Sequence, residues 1–372
     1  TLAPGIKNNQ YLILAMLFAL LNMGAVFFIF GFQQYGDSLQ YFEAIRWFGG
    51  EGTTIQPWRF LKPLGPIMAT PFEFLGQGAG LIVQNIVFYF LGAFLIFKIV
   101  DLIYHNKKQA FLASVFFVTA TSVIESGLAY LTDAGAWFFY FLSLFLTLLY
   151  FKTKKEWLII LNGLLSGSGV LMKENGGLGL LFFGLMILFS KGFNTKEKIL
   201  KIIRFGIFFL IPILLIQIFA YQRFHYTSLD WYLVSSSSSP GEGFLLTSLR
   251  YFGQLFRVLG ILWVFFFVGL WRGWREKKWE RTKIYLALLL PSFSFLLWST
   301  EAAGRAVFMF APLGILLATQ GVIFLDDKLG KTKGALMIAL LVFATSILNY
   351  SFCWFNATIP FTDIIAKFLG IL

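Results

Sequence analysis

Apolar runs of about twenty residues recur along the whole chain, and this recurrence limits its fold more than any other feature. Each run is long enough to cross roughly 30 Å of hydrocarbon as a helix. Backbone in lipid must satisfy its own polar groups, which leaves helices or closed barrels. A barrel would show short alternating segments; here the runs are continuous. The sequence therefore predicts an all-α polytopic membrane protein with about eleven transmembrane helices. Their expected positions are 11–32, 79–103, 110–129, 132–151, 157–172, 176–190, 200–221, 246–271, 284–299, 305–325 and 335–356. Together they form a single transmembrane domain over 1–372. The spans at 157–172 and 176–190 are short, so they tilt or stop below the surface. A soluble domain is excluded by a 58% hydrophobic composition and a mean hydropathy of +0.76. The first run is too long for a removable signal and lacks a small-residue cleavage site, so it is expected to stay as an anchor.

The formal charge is +12, yet its distribution marks topology rather than nucleic acid. With the N-terminus in the cytoplasm, the inner loops and helix ends hold 21 of the 30 basic residues and the outer side holds nine. This is the bias of cytoplasmic loops, and it suits contact with anionic lipid. Cys353 is the sole cysteine and the only histidines are His105 and His225. An intrachain disulfide and a Cys- or His-based metal centre are thus excluded. A divalent metal would have to rest on carboxylates, and no cofactor is otherwise indicated.

Two outer segments are long enough to carry structure. In the first, 33–78, the spacing of Leu39, Phe42, Ile45 and Trp47 predicts an interfacial helix over 37–48. A Pro-rich turn and a second short apolar run follow. The second, 223–245, contains Ser235 to Ser239 before Pro240 and Gly241. That composition predicts a mobile loop, serving as a lid over a neighbouring site or as a plain linker.

Charges at a membrane face are costly unless solvated or paired, so each needs a reason. Asp37 opens the first outer loop and is the candidate general base, able to take the proton of an acceptor hydroxyl; the structural alternative is a helix cap. Asp133, in Thr132-Asp133-Ala134-Gly135, is a second catalytic candidate, again with capping as the alternative. Glu125 lies near it. Arg59 and Lys62 flank the Pro-rich turn, as substrate contacts or as general head-group contacts. Lys173 and Glu174 form a polar step between two apolar runs, as phosphate partners or as an ordinary turn. Glu301 and Arg305 join two late spans, and a guanidinium there suits bidentate phosphate binding, with snorkelling as the alternative. The span ends are expected to bring these groups to one outer cavity.

Four stretches carry a resemblance to a known family. They are Asp37-Ser38-Leu39-Gln40-Tyr41 after the first span, Arg59-Phe60-Leu61-Lys62-Pro63-Leu64 later in that loop, Thr132-Asp133 at the start of the fourth span, and Arg305 through Pro312-Leu313. In order and topology the chain resembles the C-type (GT-C) integral-membrane glycosyltransferases, which include protein O-mannosyltransferases and lipid A aminoarabinose transferases. The resemblance implies a polyprenyl-phosphate-linked sugar as donor, with Asp37 as the catalytic carboxylate. It implies a lipid, glycan or protein acceptor, and a location in the cell inner membrane with the site facing the periplasm. The chain departs from the family pattern in having one carboxylate where an Asp-Glu pair is expected. It also lacks histidine-rich surroundings for a metal. The main rival reading is a flippase or transporter of a lipid-linked sugar. That would show paired halves or broken helices at mid-depth, and neither is evident. A ligase moving a whole glycan from a diphosphate carrier would need more outer basic residues.

Topology is directly testable. In a Cys353→Ser background, a single cysteine at position 237 should react with an impermeant thiol reagent from the outer side, and one at 276 should not. The reverse pattern would invert the assignment.

Overall fold

The computed structural model describes residues 4–52, 54–238, 244–297 and 304–355. Its α-helices are α1 (Pro4–Phe30), α2 (Gly36–Phe48), α3 (Pro57–Phe60), α4 (Leu64–Ala69), α5 (Ala79–Tyr104), α6 (Lys107–Val118), α7 (Asp133–Thr153), α8 (Trp157–Met172), α9 (Gly179–Leu188), α10 (Thr195–Phe224), α11 (Ser228–Ser238), α12 (Phe244–Leu259), α13 (Leu262–Glu276), α14 (Trp279–Ser292), α15 (Gly304–Val307), α16 (Ala311–Leu329) and α17 (Lys331–Phe355). The described residues contain no strand, as the sequence predicts.

Among the described residues six helices are long and apolar enough to cross a membrane: Asn9–Phe30, Ala79–Tyr104, Asp133–Thr153, Thr195–Phe224, Gly304–Leu329 and Lys331–Trp354. The chain is a multi-pass membrane protein. Length and composition alone do not reach the expected eleven. The run expected at 246–271 is two helices meeting at 87°, because Gly260 between them takes a left-handed conformation with φ +51°. The run at 110–129 is also broken. Helix α6 stops at Val118, and a single π-turn follows at Val123–Gly127. The runs near 157–172 and 176–190 form the short helices α8 and α9.

The chain gathers into two compact units. Unit one comprises 1–29, 93–125 and 242–372, and unit two comprises 30–92 and 126–241.

In unit two, α7, α8, α9 and α10 pack around Tyr150, Leu158, Phe183 and Phe205. Small residues allow the backbones to touch: a Cβ on Gly167 would strike the Phe209 carbonyl of α10. Between α7 and α8, Asn162 donates to Thr147 Oγ1 at 3.0 Å and Ser166 to Ser143 Oγ at 2.9 Å. Such interhelical hydrogen bonds supply cohesion that the hydrophobic effect cannot supply in lipid. Helix α10 begins with the reciprocal cap of Asn194 and Glu197, both bonds 2.9 Å. Its large apolar side chains, including Ile203, Ile207, Leu214 and Phe219, are about half exposed. A face of that kind belongs against lipid.

Also in unit two, α2 is helical over the region the periodicity predicts. The face it buries carries Tyr41, Phe42 and Ile45, while Leu39, expected on the apolar face, is exposed. Within 223–245, Ser228–Ser238 is helical and follows a turn that the loop-like composition conceals. Thr227 donates through its backbone N–H at 2.7 Å and its hydroxyl at 2.6 Å to Asp230 Oδ2. These bonds hold the Asp230 carboxyl below the usual carboxylate range.

In unit one, α13 and α16 are in backbone contact. A Cβ on Gly269 would strike the Leu317 carbonyl, and one on Gly321 the Phe265 carbonyl. The backbone carbonyls released where α6 ends are taken up by side chains: Asn22 donates to Val118 O at 2.9 Å and Asn349 to Thr119 O at 2.8 Å.

Gly321 allows propensity and packing to be separated. Ala is favoured over Gly within a helix by about 1 kcal/mol, whereas overpacking costs about 1–3 kcal/mol. Gly321→Ala should therefore lower the melting temperature. A rise would show that α13 and α16 stand further apart than described.

Candidate functional site

Three of the ion pairs in unit two involve its first loop and the ends of α7 and α8. The first involves Asp37, in the opening turn of α2. Its capping role is taken by other residues: Tyr35 precedes the helix, Ser38 N–H donates to Tyr35 O and Tyr35 N–H donates to Ser38 Oγ, both at 2.9 Å. The Asp37 side chain is 38% exposed, with Arg59 Nη2 at 3.7 Å from its Oδ1. That separation is an ion pair longer than a hydrogen bond, and the carboxylate is partly open to solvent.

Arg59, on α3, is 4% exposed. Its Nε and Nη2 donate to Gln40 Oε1 at 3.2 and 2.8 Å, and its guanidinium lies between the Tyr41 and Trp58 rings, 3.9 and 4.1 Å from their centroids. Planar stacking and a fork of donors are what arginine offers over lysine. Gln40 and Tyr41 follow Asp37 by three and four residues, so all three share one helical face. Tyr41 also hydrogen-bonds Thr132 Oγ1 at 2.9 Å, inside the buried core.

Thr132 is the residue before α7, and Asp133 begins that helix. A carboxylate in the first turn is favoured by the helix dipole. Asp133 is 1% exposed and takes a 2.7 Å hydrogen bond from Lys173 Nζ. Lys173 follows the last residue of α8 in extended conformation, which turns its side chain across to α7. The next residue, Glu174, pairs with Lys62, and the Lys62 ammonium lies 4.5 Å from the Trp231 ring centroid on α11. The arrangement is continuous from Asp37 through Arg59, Tyr41, Thr132, Asp133, Lys173, Glu174 and Lys62 to Trp231. Asn85 fixes the segment before α7, donating to Ala129 O at 2.7 Å and Leu131 O at 2.8 Å. At Gly65, a Cβ would collide with Thr132, so α4 can lie directly over the start of α7.

Six of the nine charged residues singled out from the sequence thus meet in one unit. Three carboxylates, Asp37, Asp133 and Glu174, face three cations, Arg59, Lys62 and Lys173, one to one. Asp133 sits as a buried strut and not as an accessible base. The capping and ordinary-turn alternatives fail to account for the cross-helix pairs. Gln40, Tyr41 and Trp231 are additions. The first two were legible as the i+3 and i+4 neighbours of Asp37. Nothing in the sequence placed Trp231 beside Lys62.

Arg305 belongs to unit one and lies half-buried on the short helix α15. Glu301 lies outside the described residues. In unit one Glu125, singled out beside Asp133 in the sequence, pairs instead with a residue the sequence did not single out. Arg257 of α12 pairs with Glu125 in the π-turn, and also donates to Gln254 Oε1 at 3.2 Å and Phe352 O at 3.3 Å. Nearby, Ser122 donates to Gly304 O at 3.0 Å, tying the π-turn region to the start of α15.

Across almost its whole length the chain matches solved structures of the oligosaccharyltransferase of Archaeoglobus fulgidus. The AglB structure in complex with an inhibitory peptide and a dolichol-phosphate is matched over 97% of this chain and 56% of that chain, with TM-score 0.58 and 13% identity. The apo form gives the same values. A form with Zn and sulfate is matched over 91% of this chain and 52% of that one, with TM-score 0.58 and 14% identity. The chain therefore spans about half the length of these proteins. No family model matches it, and no curated protein does so. Among the described residues no three His, Cys, Asp or Glu side chains gather as a metal site.

The strut predicts an asymmetry. Removing one member of a buried ion pair costs about 3–5 kcal/mol. Lys173→Ala leaves a carboxylate that is 1% exposed, whereas Asp133→Ala leaves a cation that is 16% exposed. Lys173→Ala should lower the melting temperature more, and the double Ala variant should recover part of the loss. Additive losses would remove the coupling. The fold these measurements concern is that of the GT-C integral-membrane glycosyltransferases.

Proposed function

We propose that this chain is a membrane glycosyltransferase. It moves a sugar from a polyprenyl-phosphate carrier to an acceptor hydroxyl at the outer face of the cell inner membrane. The observation that carries the proposal is the position of Asp37, a partly exposed carboxylate held at the edge of a buried and otherwise fully paired polar network. The GT-C fold supports it, and so does a fold neighbour solved with a dolichol-phosphate.

In this reading Asp37 accepts the proton of the acceptor hydroxyl as that oxygen attacks the anomeric carbon. The carbon–oxygen bond to the phosphate breaks, and the phosphate departs with the electron pair. Arg59 Nη2 holds the Asp37 carboxylate at 3.7 Å while Nε and Nη2 donate to Gln40. Asp133 and Lys173 neutralise each other, so their role is to fix the start of α7 and the end of α8. They do not carry the proton or the phosphate. Arg305 is kept as a separate candidate for a phosphate contact, because its guanidinium suits bidentate binding. A carrier-linked sugar is already activated, so no nucleotide site is needed. The acceptor, whether lipid, glycan or protein, meets the loops of the outer face.

Asp37→Asn should leave the melting temperature and donor affinity close to wild type and lower turnover about 10²–10⁴-fold, the contribution of a positioned acid or base. Near wild-type turnover of a purified polyprenyl-phosphate sugar would remove Asp37 from the reaction. Charge-assisted hydrogen bonds are worth about 1.5–3 kcal/mol, so Arg305→Ala should weaken donor binding by roughly 10- to 150-fold and Arg305→Lys by less. Unchanged affinity with a lowered melting temperature would make Arg305 a snorkelling residue.

A further inference from the structure

We propose that unit one carries a specific site for an anionic glycerophospholipid, in a groove formed by α13, α14 and α16. These helices surround a cavity of about 620 Å³. Along its length the lining is apolar, with Leu270 from α13, Leu289 from α14 and Leu317 from α16. Such a surface along helices of a membrane protein fits a hydrocarbon chain. One end differs in chemistry: there Trp274, Trp279 and Lys277 line the cavity. Tryptophan is enriched where hydrocarbon meets head groups, so this end marks the depth of the phosphate.

Charge selects the occupant further. The segment 272–283 holds six basic residues and two acidic ones. Most of its cations are already engaged. Arg272 and Arg281 both donate to Glu276, at 2.8 and 2.7 Å. Lys278 is 4.0 Å from the same carboxylate, Lys283 pairs with Glu280, and Arg275 lies 4.9 Å from the Trp271 ring centroid. Lys277 lines the groove, is exposed, and makes no ion pair among the described residues. One acyl chain in the groove places a lipid phosphate at Lys277. Each basic residue near such a surface contributes about fivefold in affinity for an anionic lipid.

The test is native mass spectrometry of the whole purified chain in detergent. It is titrated with dioleoyl phosphatidylglycerol, dioleoyl phosphatidylcholine and a polyprenyl phosphate. Wild type should retain one phosphatidylglycerol at least about fivefold better than phosphatidylcholine. Lys277 has φ +47°, and Asn tolerates that backbone, so Lys277→Asn should fold normally and lose the preference. Lys278→Asn should keep it. Leu270→Trp, filling the groove, should lose both phospholipids. Equal retention of the two phospholipids by wild type, or an unchanged preference in Lys277→Asn, would overturn the proposal. Displacement of phosphatidylglycerol by an equal concentration of polyprenyl phosphate would also overturn it, assigning the groove to a carrier tail.

Discussion

An ionised group buried among apolar side chains must be paired, and in unit two this requirement fixes the ends of four helices at once. Asp133 at the head of α7 has lost almost all contact with solvent, and the ammonium that compensates it comes from the residue after α8. That bond sets where α8 ends relative to α7. It also turns Glu174 toward Lys62, which anchors the Pro-rich turn of the first loop. Through Thr132 and Tyr41 the same region holds α2, and with it Asp37. Buried pairs contribute little net stability, but breaking one is expensive. Their effect here is to specify one arrangement.

Seen this way, the three carboxylates differ in kind though they share a cluster. Asp133 is enclosed and tightly bonded. Glu174 is mostly enclosed and paired. Asp37 keeps over a third of its surface and a loose 3.7 Å partner. Proton transfer needs a carboxylate that a substrate can reach, and only a scaffold of satisfied neighbours can hold such a group still. At the start of α2 the reciprocal bonds are made by Tyr35 and Ser38.

Much of this was legible in the sequence. Length and continuity of the apolar runs gave the helical class, and isolated charges at the run ends pointed to Asp37, Arg59, Lys62, Asp133, Lys173 and Glu174. What was not legible came from two sources. The first is backbone breaks inside apolar stretches, as at Gly260 and after Val118, where the run of side chains looks unbroken but the helix is not. The second is long-range pairing. Lys62 with Trp231, or Glu125 with Arg257, joins positions more than a hundred residues apart, and no local period reports such a contact. Lys173 was expected at a phosphate; its proximity to Asp133 could not be foreseen from either segment alone.

The most direct measurement of the central claim is an electron cryo-microscopy map of the purified chain with a polyprenyl phosphate or its sugar-bearing form. The account predicts density for a sugar or acceptor group at the exposed oxygen of Asp37, within about 2.6–3.2 Å. The Asp133–Lys173 pair should be unchanged. Ligand density on a different face, with Asp37 bare and no polar group within reach, would contradict it.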